Sequence, residues 1–199
     1  MLHGEQIESR QYVVDGKPEM IYTVDEEGNL LALDYRESLH LSKSSRRHAA
    51  VIGMILRADG RFLVQWRAKK KLGGNRLDVS ATTHVRKDET YESALQRSFE
   101  KELNIKTKVP LWHVFDFRYT EDLGEHKENE YCKVFFGSYD GRYTPNPEEI
   151  ERVEFMNLEE LKAFVKSNED RATKWLRETV GRMDASMLKK SSSAGSTGR

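Results

Sequence analysis

Residues 83–105 read THVRKDETYESALQRSFEKELNI, a loop running into a helix-forming stretch rich in acids. Leu95, Phe99 and Leu103 recur at a spacing of four, so they mark one apolar stripe. Carboxylates one turn apart on such a helix can hold a hard cation, and that cation can bridge phosphate oxygens. Glu102 is suited to this, but Ser98 lies one turn before it and Lys101 beside it, so neighbouring carboxylates are missing. A second acidic feature is Glu128-Asn129-Glu130, leading into YCKVFF. Strand alternation puts Glu128 and Glu130 on one face, together with Cys132. His40 and His48 bound a polar stretch that also holds Lys43, Arg46 and Arg47, and His84 opens the loop before the helix. A basic, glycine-containing loop, RAKKKLGGNR, occupies 67–76. Taken singly, these features are ordinary. A histidine before a strand is usually a surface or capping residue, a Glu-X-Glu pair a solvated strand edge, a lysine run an exposed loop. His3, His113 and His126 are read in that ordinary way.

The elements that position these groups follow from pattern. EMIYTVDEEGNLLALDYR reads as strand, turn, strand, broken at 26–29. AAVIGMIL (49–56) is a buried strand or short helix, Asp59-Gly60 a hairpin signal, and RFLVQW (61–66) the return strand. A helix is expected over 90–103, with Asp88 and Thr90 as capping types and Asn104 suited to a left-handed C-terminal cap. Strands follow around 112–119 and 130–139, joined by a charged loop, with a further strand near 153–156. Asn157 caps a helix through 165, and 171–183 forms a last amphipathic helix. Strands before, between and after helices indicate an α/β layered domain with a mixed sheet.

Bulk composition narrows the function. Lys plus Arg equals Asp plus Glu, at 33 each, so net charge directs the chain to neither nucleic acid nor a membrane surface. The single cysteine excludes an internal disulfide framework and fits a reducing compartment. No apolar run approaches the ~20 residues of a membrane span, and MLHGEQIESR lacks a signal-peptide core. A cytoplasmic location is expected. The tail from Lys189 is rich in Ser and Gly, as disordered segments are.

The 83–105 segment resembles the Nudix signature, whose usual form is Gly, five residues, Glu, seven residues, Arg-Glu, apolar, any, Glu-Glu, any, Gly, apolar. Glu89, Arg97, Phe99, Glu102 and Ile105 match, while Thr83, Ser98, Lys101 and Asn104 depart. Across roughly residues 20–165 the arrangement is similar to type I isopentenyl-diphosphate isomerase, a Nudix-fold family. That resemblance implies an α/β Nudix fold, a mixed β-sheet sandwiched between helices. The domain is expected to span 20–186, between an N-terminal extension (1–19) and a tail (187–199) expected to be disordered. It implies a divalent metal, Mn²⁺ or Zn²⁺, on His40, His48, His84, Glu128 and Glu130, and a Mg²⁺ held by Glu102 against a diphosphate. The interval from His40 to His48 is one residue longer than the family's. Arg36, Arg67 and Lys71 fall where the family contacts its diphosphate.

The implied chemistry is a 1,3-allylic isomerisation of a prenyl diphosphate, with a proton added on one face of the double bond and removed on the other. Glu130 matches the family's residue on one face. Thr82 stands where the family's catalytic cysteine would be, and a hydroxyl is too weak an acid or base at neutral pH to replace a thiol directly. The family's tryptophan position falls near Asp170, with Trp175 and Trp112 as the available alternatives. Three functions follow: the isomerase, a Nudix hydrolase cleaving a diphosphate-containing small molecule, and a catalytically silent Nudix binding domain. In each the partner is a small molecule or a protein, and the sequence does not fix an oligomeric state.

Overall fold

The computed structural model describes residues 13–41, 43 and 45–188. Most of the expected extension, and the expected tail from 189, lie outside the described residues. Residues 13–18 form a small hairpin, β1 (Val13–Val14) and β2 (Lys17–Pro18), turned by Asp15-Gly16 with positive φ at both positions. The remaining order is β3 (Met20–Val24), β4 (Leu30–Tyr35), α1 (Arg36–His40), β5 (His48–Leu56), β6 (Phe62–Arg67), β7 (Leu77–Asp78) and β8 (Ala81–His84). Then come α2 (Tyr91–Leu103), β9 (Leu111–Leu123), β10 (His126–Ser138), β11 (Ile150–Met156), α3 (Leu158–Ser167), α4 (Lys174–Arg182) and α5 (Ala185–Leu188). Residues 187 and 188, expected in the disordered tail, thus end a short helix.

The AAVIGMIL segment is a strand, β5, buried at every residue. It runs parallel to β10 and antiparallel to β3, β6 and β8. A strand covered on both faces reads as a continuous apolar run rather than an alternation. On one face Leu95, Phe99 and Leu103 of α2 pack with Val51 and Ile55; on the other, Leu158, Leu161, Leu176 and Val180 of α3 and α4 pack with Ile52 and Met54. The mixed sheet is therefore sandwiched between helices. Gly53 permits the close approach of α2, because a Cβ there would lie 2.7 Å from Leu95 Cδ1 and from Phe99 Cζ. α2 begins in a Thr90/Ser93 capping box and ends on Asn104 at φ 54°, as its pattern predicts.

Two local expectations are corrected. The charged segment 120–129 is not a loop: β9 and β10 run on through it as a long hairpin with only Gly124 and Glu125 between them. Strand-forming signals are weak there because the buried side chains include Glu128. The amphipathic helix expected over 171–183 starts at Lys174, because Glu169–Arg171 is a 3₁₀ turn and Thr173 accepts from Leu176 N as the N-cap.

Candidate metal centre and active-site cleft

Strand pairing assembles the histidines and acids. The parallel register sets Glu130 of β10 beside His48 of β5, while antiparallel β8 brings His84 opposite Ala50. A bridge between Leu41 and His126 ties the end of α1 to the start of β10 and carries His40 to the same place. One ligand atom from each of His40, His48, His84 and Glu128 lies within 4.8 Å of the others, and all four residues are buried. Glu130 adjoins the group, with Oε1 2.9 Å from His84 Nε2 and 3.9 Å from His48 Nε2.

The hydrogen bonding of this group suits a cation. Nδ1 of His40 lies 2.7 Å from the Arg36 carbonyl, and Nδ1 of His48 lies 2.9 Å from that of Arg46. A carbonyl only accepts, so each Nδ1 donates, the tautomer that leaves the Nε2 lone pair to a metal ion. Burial drives the His40 and His84 rings towards the neutral form, aided at His84 by the Arg36 charge. His40 Nε2 then stands 3.2 Å from Glu128 Oε2, acceptor facing acceptor. His48 Nε2 and Glu128 Oε2 are buried without a hydrogen-bond partner. A divalent ion with mixed nitrogen and oxygen ligands satisfies all of these atoms together.

The two glutamates are unequal. Burial and the Glu128 charge raise the proton affinity of Glu130. Burial would raise Glu128 too, but the hydrogen bond from His126 and the adjoining His40 and His48 rings outweigh it and hold it well below the usual carboxylate range. Tyr119 lies directly across the β9–β10 ladder from Glu130. Burial and the adjacent glutamates push its hydroxyl well above the usual range, so it stays protonated beside that carboxyl. Cys132 Sγ donates to Glu130 Oε2 at 3.3 Å, but the thiol is fully buried in the core and raised well above its usual range by burial and by Glu130. It is not placed to stand in for a thiol in the cleft.

His126, read above as an ordinary surface histidine, belongs to this cluster: its ring stacks on His40 at 4.7 Å, and Nε2 lies 2.9 Å from Glu128 Oε1. The misread loop hid it. With 120–129 recognised as strand, alternation alone puts residues 126, 128 and 130 on one face. His113 is as expected, pairing with Asp116 at the surface.

A cleft of about 450 Å³ opens beside the cluster, lined by His84, Glu128, Glu130, Thr82, Tyr119 and Trp175, and also by Glu102, Arg36, Arg67 and Lys71. Thr82 is half-buried and donates to the Val51 carbonyl at 3.1 Å, which fixes its rotamer. Trp112 packs on Phe136 in the core, and Asp170 is exposed; of the residues considered for an aromatic wall, Trp175 is the one at the cleft. Glu102 is 3% exposed and accepts from Ser98 Oγ at 2.7 Å and Gln65 Nε2 at 2.8 Å. The serine in place of a motif carboxylate thus orients the glutamate that remains.

The three basic residues expected to contact phosphate all reach the cleft wall, each already paired with an acid. Arg36 Nη1 meets Glu19 at 2.9 Å, Lys71 meets Glu149, and Arg67 Nη1 meets Asp78 at 2.5 Å. Asp78 is fully buried and also accepts from Thr173 Oγ1, Trp175 Nε1 and the Val79 amide. It locks Arg67, the Trp175 ring and the start of α4 in one arrangement. An Asp78→Ala protein is expected to lose about 3–5 kcal/mol, because the 6%-exposed Arg67 keeps a buried charge without its partner. Urea denaturation measures this, and a loss below about 1 kcal/mol would show that the pair does not hold the wall.

Among the described residues no helix is long and apolar enough to cross a membrane. Residues 46–178 match the NUDIX domain family. An isopentenyl-diphosphate Delta-isomerase from Jannaschia sp. is 33% identical over 144 residues, covering 70% of this chain and 81% of that protein. Its namesake from Roseobacter denitrificans is 32% identical over 145 residues, covering 71% and 81%. The isopentenyl-diphosphate Delta-isomerase 1 of Photorhabdus laumondii is 29% identical over 164 residues, covering 80% and 92%. Solved structures show the same fold. A Deinococcus radiodurans crystal structure superposes with a TM-score of 0.66 at 24% identity, covering 82% of this chain and 98% of that one. A MutT NUDIX hydrolase from Burkholderia pseudomallei gives 0.56 at 20% identity, covering 70% and 99%. The chain belongs to the NUDIX domain family and, within it, to the isopentenyl-diphosphate isomerases.

Proposed function

We propose that this protein isomerises a small prenyl diphosphate of the isopentenyl type to its allylic isomer. The observation that carries the reading is the convergence of Glu130, Tyr119 and Trp175 on one cleft with three phosphate-competent cations. His40, His48, His84, Glu128 and Glu130 would hold a divalent transition metal, Mn²⁺ or Zn²⁺, and Glu102 a Mg²⁺. When bound, the first ion would fix the carboxylates and the second would neutralise phosphate charge. Arg36, Arg67 and Lys71 would bind the diphosphate and orient the organic part towards Glu130.

Glu130 has the attributes of the proton-handling group on one face. Its proton affinity is raised by burial and by the Glu128 charge, the direction that a proton-handling carboxyl needs. The Trp175 ring, anchored through Nε1 to Asp78 and 6.3 Å from Tyr119, offers a π-face to a developing carbocation. On the other face Thr82 has spent its hydrogen on the Val51 carbonyl, so its oxygen presents lone pairs and serves to position a proton rather than supply one.

That missing thiol favours one second reading: a diphosphate hydrolase on the same scaffold. Ser98 and Lys101 oppose it, since each replaces a motif carboxylate on the helix that would gather metal around the phosphates. The test is an assay of the metal-supplemented protein on isopentenyl diphosphate beside nucleoside and sugar diphosphates, followed by NMR. The allylic isomer is the expected product. Release of phosphate without isomerisation would replace the first reading by the second, and turnover of no member of the panel would leave the binding-domain reading as the stronger.

A further inference from the structure

Two carboxylates at the cleft each gather a pair of cations. Glu19, 5% exposed, takes Arg36 at Nη1 (2.9 Å) and Arg86 at Nε (2.7 Å). Glu149 takes Lys71 on one oxygen and Lys101 on the other, the latter at 2.5 Å. Burial would raise both carboxyls, yet the paired cations outweigh it and hold each at about 2, so both stay ionised. Each trio therefore carries a net single positive charge, and all six residues line the same cleft.

One cation in each pair, Arg36 or Lys71, was expected to meet phosphate; its partner was not. We propose that Arg86 and Lys101 also bind the diphosphate, so that the two phosphates are gripped from two sides by carboxylate-held cation pairs. The proposal rests on the diphosphate reading above. Its physical basis is a charge exchange along α2. Where the Nudix helix has carboxylates that bind phosphate through metal, this chain has Ser98 and Lys101. With fewer metal positions available, phosphate charge must be met by side chains directly. Lys101 adjoins Glu102 in sequence, and its side chain is 57% exposed, long enough to leave Glu149 for a stronger anion. Arg86, two residues after His84, brings a guanidinium of five N–H donors, one of which Glu19 fixes. Glu19 and Glu149 act as built-in counter-ions that keep four cations together before the ligand arrives. A grip from two sides also selects a diphosphate over a monophosphate, which can engage only one pair.

The test is isothermal titration calorimetry of the full chain, loaded with Mg²⁺, against inorganic diphosphate and inorganic phosphate. The unmodified protein is expected to bind diphosphate at least ~10-fold more tightly than phosphate. Lys101→Ala and Arg86→Lys are each expected to weaken diphosphate binding by about 10-fold or more and phosphate binding by less, as loss of a charge-assisted contact or of a guanidinium fork predicts. Lys101→Ala removes a largely exposed side chain and so keeps the fold, and Arg86→Lys keeps the charge that Glu19 needs. Lys106→Ala, outside the cleft, is expected to change neither affinity. If the protein binds diphosphate but both cleft variants match it within twofold, the cation pairs are surface ion pairs and the proposal is wrong. If the unmodified protein binds no diphosphate, the underlying reading fails, and the proposal with it.

Discussion

A His84→Ala protein is expected to purify without its transition metal. His84 sits on β8, held opposite Ala50 by strand pairing; its Nε2 is 2.9 Å from Glu130, and one ring nitrogen is among the four ligand atoms that lie within 4.8 Å of one another. Even outer partners of metal ligands are worth about 10–100-fold in affinity, so removing a direct ligand is expected to weaken binding by more than about 100-fold. The ring is 7% exposed and neutral in the folded chain, so its removal leaves no unpaired charge, only a small void. The protein should fold, and its metal content after dialysis, measured by mass spectrometry, should fall to background. Glu102→Gln is the matched control. Its amide still accepts from Ser98 or Gln65 on one side, and it lies outside the histidine cluster, so the transition metal should remain while Mg²⁺-dependent diphosphate binding falls. Metal retained at full occupancy in His84→Ala would remove the histidine from the ligand set; loss of both ions in Glu102→Gln would show that the two positions form one site.

What the sequence revealed of this site follows physical lines. The gathering of His40, His48, His84, Glu128 and Glu130 in one place was legible because three histidines and a Glu-X-Glu pair keep the order and near-spacing of a metal family. The fold was legible because α2 carries its cap, stripe and left-handed stop in one short stretch, and β5 is a continuous apolar run. His126 was not legible: it lies in a hairpin whose polar residues point inward to a centre instead of alternating with apolar ones, so periodicity reads it as loop. Tyr119 and Trp175 were missed or left open for a related reason. Tyr119 becomes Glu130's neighbour only through the β9–β10 register, and Trp175 reaches the cleft only because a 3₁₀ turn delays α4. Glu19 and Glu149 were invisible as counter-ions, since pairing across 67 residues (Glu19 with Arg86) or across the cleft has no local signature. Residue type announces possible ligands; only tertiary pairing tells which acids are already occupied by cations.

Thr82→Cys is expected to raise the rate of allylic isomerisation by about 100-fold or more, the lower end of what a positioned acid or base contributes. The substitution is small. Thr82 is half-buried at the cleft on β8, paired opposite Ile52, and cysteine loses a methyl group while keeping a single polar atom on Cβ. The new thiol would occupy the wall that Glu130, Tyr119 and Trp175 face, and a thiol near pKa 8.5 exchanges protons at neutral pH where a hydroxyl does not. The hydrogen bond from Thr82 Oγ1 to the Val51 carbonyl would weaken, a cost of about 1 kcal/mol to stability. Initial rates with isopentenyl diphosphate, read by NMR as the allylic isomer, measure the gain. A second variant separates chemistry from fit: Thr82→Ser keeps a hydroxyl and loses the same methyl, so it should stay near the unmodified rate. If Thr82→Cys gains nothing while Cys and Ser variants bind diphosphate normally, the second proton is handled elsewhere in the cleft or the reaction is not isomerisation, and the hydrolase reading takes precedence. If the cysteine variant alone accelerates, then Glu130 already supplies one half of an acid–base pair, and a single oxygen in place of sulfur sets the speed of the other half.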